Sequence, residues 1–389
     1  MRIEEAAEDS LFREELRDWL AENVPTNPRP EGGEAQRDFD VAWRRRQFDG
    51  GWGHISWPES YGGRGLPLAR QLIWYEELAH AKAPPHLDMF FVALQHAGPT
   101  LIAQGNEQQK ALHLPRILSG EAIWCQGFSE PGAGSDLAAI RTRGVVGGDH
   151  IFVTGQKIWT SFGRYARFQE LLIRTDPDSS RHKGLTWVIC DMDSPGIDVR
   201  PIRNLAGDDD FCEVFYDDVR IPIDNVVGGL GNGWTVAMST LGFERGTASV
   251  PQFMELARAI EELIELVDAR HAGNRGWASS GSSIGSRLAA ARADVAALKS
   301  MIYLVIARDS SSTGPSSEGS MVRLFLSELA QRISNIAMDI LGPLSLERDA
   351  TSGWPRRYLI DLKHTIAGGT SEIQRNIVGE RVLGIPRGR

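Results

Sequence analysis

The apolar residues of this chain change their spacing twice, and that change limits the folds open to it. Up to about residue 122 they recur every three or four positions. Phe12, Leu16, Trp19 and Leu20 in SLFREELRDWLAEN set the pattern, and ARQLIWYEELAHA and PTLIAQGNEQQKALHLPRIL repeat it. That is the period of an amphipathic helix. WPESYGGRGLP, between them, is a glycine- and proline-rich connection. From 123 to 227 the period shortens. GDHIFVTGQKIWTS, QELLIRT, GLTWVICDM, GIDVRPI and FCEVFYDDVRIP are short, rich in β-branched and aromatic residues, and bounded by Asp, Gly and Pro, which reads as an antiparallel β domain. From 228 the helical period returns: Phe253, Leu256, Ile260, Leu263 and Val267 form one stripe, Leu288, Val295, Leu298, Ile302 and Val305 a second, and Leu329, Ile333, Ile336 and Ile340 a third. Long stripes of this kind predict a helical bundle.

The expected organisation is therefore a multidomain α+β chain: an N-terminal helical domain over 1–122, a middle β domain over 123–227 and a C-terminal helical bundle over 228–389. The order excludes a doubly wound dinucleotide fold, and no GxGxxG follows a strand. The Gly/Ser-rich stretch 273–286 is expected to be a loop. Pro251 removes a helical N–H, so the helix near it should be kinked or start after it.

Composition narrows the class of partner. Hydrophobic residues make up 42% and charged residues 24%, as in ordinary soluble globular chains. A net charge of −9 argues against nucleic acid or an anionic membrane as the main partner. Cys125, Cys190 and Cys212 are too scattered for a zinc site or a disulfide framework, and no metal is expected; a reducing cytoplasm is the simplest compartment. MRIEEAAEDSLFREEL is acidic without an apolar stretch, unlike a secretory signal. No apolar run approaches the roughly 20 residues that span a bilayer. The eleven tryptophans suit either a large flat ligand or a tryptophan-rich core.

Four segments could carry chemistry. In FSEPGAGSD (128–136), Pro131, Gly132 and Gly134 prescribe a tight loop with accessible N–H groups, and Ser129 and Ser135 add hydroxyls. Such a loop suits a polar heterocycle or a phosphate-bearing chain, or is a plain turn. GQKIWTS (155–161) is a strand in which Trp159 either covers a flat ring, with Thr160 and Ser161 at its edge, or packs in the core. In LGFERG (241–246), Glu244 and Arg245 interrupt an apolar run. Glu244 is either a desolvated carboxylate fit for proton abstraction, or a solvated or Arg-paired one. In GGTSEIQRNIVGER (368–381), Ser371 and Gln374 have the spacing of a capping box, and the glycines permit close approach of a ligand to the helix start.

Together and in this order, the four segments resemble the acyl-CoA dehydrogenase family of flavoproteins. GFSEPGAGSDLA and TGQKIWTS are similar to its flavin- and substrate-facing signatures, GGTSEIQRNIVGERVLG to its C-terminal one, and GWGHISWPESYGGRGLP and EVFYDDVRIP to its general texture; the likeness runs from about residue 10 to 386. The resemblance implies an N-terminal α domain, a middle β-barrel-like domain and a C-terminal four-helix bundle. It implies FAD between the latter two and reaching a neighbouring subunit. The implied reaction is α,β-desaturation of an acyl-CoA thioester, with electron-transfer flavoprotein as oxidant, in a homo- or hetero-oligomer built as a dimer of dimers. By the same match Ser129 and Ser161 would bond the flavin edge, Trp159 would pack on it, Phe128 would line it and Thr370 would sit near it. Ser135 could touch the CoA arm.

Many family members carry the catalytic Glu directly before Gly-Thr-Ser of the C-terminal signature, where this chain has Gly368. Others, including those for branched or bulky acyl chains, place it in a short run ending Glu-Arg ahead of the bundle. The resemblance therefore assigns Glu244 as base and Arg245 as its charge partner, with the Gly368 N–H free to serve the thioester carbonyl. Two FAD contacts of the family depart from its pattern. Arg275 and Arg287 are both candidates for the arginine that reaches a partner's FAD, and MDILGPL, with Asp339 and Pro343, replaces a Gln-containing turn. These departures leave open a flavin-poor partner subunit. A flavin oxidase, monooxygenase or carrier-protein-linked desaturase on the same fold also remains open.

Overall fold

The changes of period fall where the chain changes element. The computed structural model describes residues 6–85, 87–179, 181–243, 249–271, 282–309, 317–347 and 353–386. The chain divides into two units, Met1–Glu244 and Arg245–Arg389.

The first unit opens with helices α1 (Ala7–Asn23), α2 (Gly33–Asp49), α3 (Leu68–His80), α4 (Gly98–Gln104) and α5 (Glu107–Ser119). α1 buries Phe12, Leu16 and Leu20, as its stripe requires. PTLIAQGNEQQKALHLPRIL is two helices, because Asn106 restarts the chain. Its side chain accepts from Gln109 N at 2.8 Å, while Gln109 Oε1 accepts from Asn106 N at 3.0 Å. This reciprocal capping box satisfies two orphan donors of α5. A π-helical turn, Val92–Ala97, leads into α4, and all six of its residues are buried. Most of the tryptophans belong to the core: Trp43, Trp52, Trp57, Trp74, Trp124, Trp187 and Trp354 are buried, and Trp52 stacks on Trp74 at 5.0 Å between ring centroids.

Among the described residues, eight strands follow: β1 (Trp124–Gly127), β2 (Arg143–Gly147), β3 (His150–Ser161), β4 (Phe168–Arg174), β5 (Leu185–Asp191), β6 (Ile197–Ile202), β7 (Phe211–Pro222) and β8 (Val226–Val227). The sheet order is β6-β7-β3-β2-β4-β5-β8, with β1 added beside β4. Pairing is antiparallel except for β1 with β4 and a one-residue contact of β2 with β4, which are parallel. The all-antiparallel expectation is corrected to that extent. β4 and β5 are buried on both faces, which explains their unbroken apolar runs. The three cysteines are free and buried; burial raises all three thiols, Cys190 to about 12. Helix α6 (Gly233–Phe243) closes this unit.

The second unit contains α7 (Val250–Arg270), α8 (Ser283–Asp309), α9 (Gly319–Leu341), α10 (Trp354–Asp361) and α11 (Ser371–Ile377). The three long stripes are buried, apart from Ile340, which is half-buried beside a buried Leu341. α7 begins one residue before Pro251 rather than after it; in the first turn a missing N–H breaks no helical bond. α8 begins at Ser283, so the end of the expected loop is helical; residues 273–281 lie outside the described residues. Among the described residues no helix is long and apolar enough to cross a membrane.

Trp57 fastens the connection before α3 to the π-helical turn and α4. Its Nε1 donates to Leu94 O at 3.2 Å, and its ring covers Gly98 so closely that a Cβ there would stand 1.9 Å from the ring. Gly98→Ala should destabilise the chain by about 1–2 kcal/mol, because overpacking outweighs the helix-propensity gain of alanine. The denaturant midpoint measures this; an unchanged or raised midpoint would show that the ring yields without cost.

Candidate active site

The FSEPGAGSD loop and the end of β3 are stitched together by one buried charge pair. Lys157 is fully buried; its Nζ donates to Glu130 Oε1 at 2.9 Å and to Phe128 O at 3.0 Å. Glu130 also accepts from Arg141 N at 2.6 Å and Thr142 N at 2.8 Å, and Ile158 N donates to Ser129 O at 2.9 Å. Burial is the larger influence on Lys157 and pushes its ammonium down to about 8, against the pull of Glu130. For Glu130, burial pushes the carboxyl up, but Lys157 and the N–H donors outweigh it, so it lies below the usual range. Three short hydrogen-bond donors, Lys157 Nζ and the N–H groups of Arg141 and Thr142, hold Glu130 in its ionised form. Both groups are charged at neutral pH.

β3 is irregular where it matters. Its register with β7 shifts between Lys157 and Thr160, and Trp159, inside the shift, has φ +62°. Strict alternation from the buried Lys157 would put Trp159 inside and Thr160 outside. The bulge inverts this: Thr160 is buried and Trp159 is 57% exposed. A bulge re-aims a side chain in this way, and a left-handed tryptophan is strained backbone. Trp159 thus stands outside the core, and Thr160 faces inward. Phe211 meets the Trp159 ring edge-on at 6.1 Å. Ser129 and Ser161 are half-buried, Phe128 is buried, and Ser135 is exposed on a loop where Gly132 and Gly134 have open space around them.

In the second unit the segment before α11 is held by its backbone carbonyls. Arg323 of α9 donates to His364 O at 3.2 Å and Ala367 O at 2.7 Å. Gln331 donates to Asp361 O, Leu362 O and Thr365 Oγ1. Gln374 Nε2 donates to Gly368 O at 2.8 Å. Gly368 and Gly369 have φ +65° and +91°, conformations that glycine alone adopts freely. The cap differs from the sequence expectation by one residue. Thr370, not Ser371, is the N-cap, accepting from Ile373 N at 3.3 Å, and Gln374 is turned back to Gly368 rather than boxed with Ser371. Ser371 Oγ is buried without a hydrogen-bond partner among the described residues.

Of the residues singled out from sequence, Phe128, Ser129, Ser135, Trp159 and Ser161 lie in the first unit and Gly368 and Thr370 in the second. Glu244, Arg245 and Arg275 lie outside the described residues. Arg287 bonds Asp339 at 2.7 Å. Sequence reasoning missed Glu130 and Lys157. The available signal was a lysine at an inward-facing position of a strand. No group of three metal-ligating side chains occurs among the described residues.

Three family models cover this architecture. Residues 6–121 match the acyl-CoA dehydrogenase N-terminal domain, 125–219 the middle domain and 231–383 the C-terminal domain. The chain belongs to the acyl-CoA dehydrogenase family. It is an oxidoreductase with that family's three-domain fold: helical, β and helical. Acyl-CoA dehydrogenase IpdE1 of Mycobacterium tuberculosis is 38% identical over 97% of this chain and 97% of its own. Among solved structures, the Tcur3481-Tcur3483 steroid ACAD superposes with a TM-score of 0.84 at 28% identity, covering 100% of both chains. The ChsE4-ChsE5 complex from Mycobacterium tuberculosis does so at 0.82 and 32% identity, again over 100% of both.

Lys157→Met should cost about 3–5 kcal/mol, since it strands a buried carboxylate. Adding Glu130→Leu should return much of that loss. Chemical denaturation of both variants measures this; a single variant as stable as the parent would mean that the N–H donors alone hold Glu130.

Proposed function

We propose that the chain desaturates an acyl-CoA thioester between its α and β carbons, with Glu244 as the base that takes the α proton. The cofactor in this reading is FAD, which when bound supplies the acceptor for the β hydride. The residues present suit it. The bulge offers the Trp159 ring face, Ser129 and Ser161 offer hydroxyls on either side of the Lys157–Glu130 lock, Phe128 backs the loop and Thr370 lies close by in sequence to the second unit's glycines. The exposed Trp159 on strained backbone carries this reading, because a ring so placed contributes nothing to the core that the buried tryptophans do not.

Glu244 must work on a weakly acidic C–H. A donor on the thioester carbonyl lowers that barrier, typically by about 3–4 kcal/mol, and the Gly368 N–H is assigned to it. Arg245 is assigned as charge partner to Glu244, Ser135 to the CoA arm and electron-transfer flavoprotein to reoxidation. The C-terminal segment offers a poor alternative base. Glu372 is exposed, and its carboxyl is held below the usual range by its own backbone N–H and the Thr370 hydroxyl. With no side chain at 368, and with the Tcur3481-Tcur3483 steroid ACAD among its structural neighbours, the acyl group is assigned as bulky or ring-bearing.

A second reading concerns assembly. Arg287 is engaged by Asp339 within the chain, leaving Arg275 as the other candidate for a partner's FAD, and ChsE4-ChsE5 was solved as a complex of two chains. A heteromer in which a different chain supplies half of each flavin site fits that pattern. It predicts about half a flavin per chain in the purified assembly, against one in a homotetramer.

The test is anaerobic bleaching of the bound flavin's absorbance by a panel of acyl-CoAs. Glu244→Gln should keep its flavin yet bleach roughly 100- to 10,000-fold more slowly. Equal bleaching by this variant would remove Glu244 from the mechanism. Faster turnover of straight medium-chain thioesters than of every bulky one would remove the substrate assignment, and rapid reoxidation in air would favour an oxidase.

A further inference from the structure

Arg323 joins two segments of the second unit that lie far apart in the sequence. It stands on α9, where its neighbours Val322 and Leu326 are buried, and its guanidinium forks. Nη1 donates to Gln252 Oε1 at 3.2 Å, in the first turn of α7. Nη2 donates to His364 O at 3.2 Å and to Ala367 O at 2.7 Å, in the segment that leads to Gly368. A planar guanidinium, with its donors in a fixed fork, holds several acceptors in one geometry.

The contact at Ala367 reaches beyond the atom it touches. Ala367 O and Gly368 N belong to one peptide group, which is planar, and no cis peptide bond occurs among the described residues. In a trans peptide the C=O and the N–H point in opposite directions. Holding Ala367 O on Arg323 therefore aims the Gly368 N–H to the opposite side of the peptide, away from the guanidinium. The next peptide is held separately, by Gln374 Nε2 on Gly368 O at 2.8 Å. Both peptide planes that flank Gly368 are thus pinned by side chains, and its φ of +65° is fixed between them. Gly368 is exposed, and its N–H donates to no group of the chain among the described residues. A hydrogen bond from a cation to the carbonyl also draws electrons toward that oxygen, which makes the N–H of the same peptide a stronger donor.

We propose that Arg323 is a positioning residue for the desaturation: by fixing and polarising the peptide between Ala367 and Gly368, it aims the Gly368 N–H at the thioester carbonyl. This rests on the reading that gives that N–H to the carbonyl. The Gln252 arm ties the same guanidinium to α7, the helix that follows the Glu244–Arg245 run in the sequence, so the donor and the start of α7 are referred to one side chain. The donor matters most as negative charge gathers on the carbonyl oxygen during loss of the α proton. A donor turned aside therefore costs more in the transition state than in the bound ground state, and loss of Arg323 falls on kcat more than on binding.

The test compares the holoenzyme with Arg323→Met and Arg323→Lys at equal flavin content. The probe is a cyclohexyl-bearing enoyl-CoA with an isotope-labelled carbonyl, a product analogue that needs no turnover. In the parent, infrared difference spectra should show its carbonyl stretch lowered on binding, relative to the free thioester in water. Arg323→Met should lose most of that shift and lower kcat for the corresponding saturated thioester roughly 10- to 100-fold, with KM changed less than about threefold. Arg323→Lys keeps a cation that can still reach Ala367 O, so it should recover most of the shift, which guards against a poorly folded methionine variant. An unchanged carbonyl stretch in flavin-loaded Arg323→Met would overturn the proposal, as would a loss confined to KM or one that merely tracks lost flavin. If the saturated thioester does not bleach the flavin, the spectra alone decide. A parent enzyme that leaves the stretch where water leaves it would remove the Gly368 N–H from the thioester carbonyl and the role of Arg323 with it, so the parent spectrum tells the two failures apart.

Discussion

The site in the first unit depends on an ammonium and a carboxylate kept out of water together. Lys157 reaches from β3 to Glu130 and to the Phe128 carbonyl, and Glu130 reaches on to the backbone of 141 and 142. Three chain segments thus converge on one ion pair. Such a pair need not add net stability, because desolvation offsets the Coulombic gain. Its value is that it has one satisfied geometry. Any shift of the loop relative to the strand would leave a buried charge unpaired, which costs far more than a slipped apolar contact. The hydroxyls of Ser129 and Ser161 are therefore carried on backbone that cannot drift.

The strain at Trp159 belongs to the same design. A left-handed non-glycine residue costs of order 1–3 kcal/mol and persists only where its surroundings over-determine it. Here Lys157 pins the strand on one side of the bulge and the buried Thr160 resumes the ladder opposite Cys212 on the other. The tryptophan is left as the residue that must turn outward. Rigidity bought by the ion pair is what allows a large aromatic face to stay in the open without collapsing onto the core.

This inversion also marks where sequence reasoning reached its limit. Helices and strands were legible because burying one stripe or face imposes its period on the chain, and the stripe from Phe253 to Val267 is buried residue for residue. The exposure of Trp159 was open from the residues and implied only by the family resemblance, because period-2 alternation predicts the opposite and a bulge leaves no compositional trace without a glycine. The cap of α11 was misplaced by one residue for a related reason: Thr370 and Ser371 are both competent caps, and only the left-handed turn at Gly368 and Gly369 decides between them.

The backbone at 368 bears on where an acid can stand. Arg323 fixes the carbonyls of His364 and Ala367, and Gln374 fixes that of Gly368, so the segment is shaped through main-chain atoms without help from any side chain at 368. Its φ of +65° would cost an L-residue about 1–2 kcal/mol. A glutamate placed there would have to bear that strain or unseat the carbonyl bonds that shape the turn. The loop is thus suited to presenting main-chain groups.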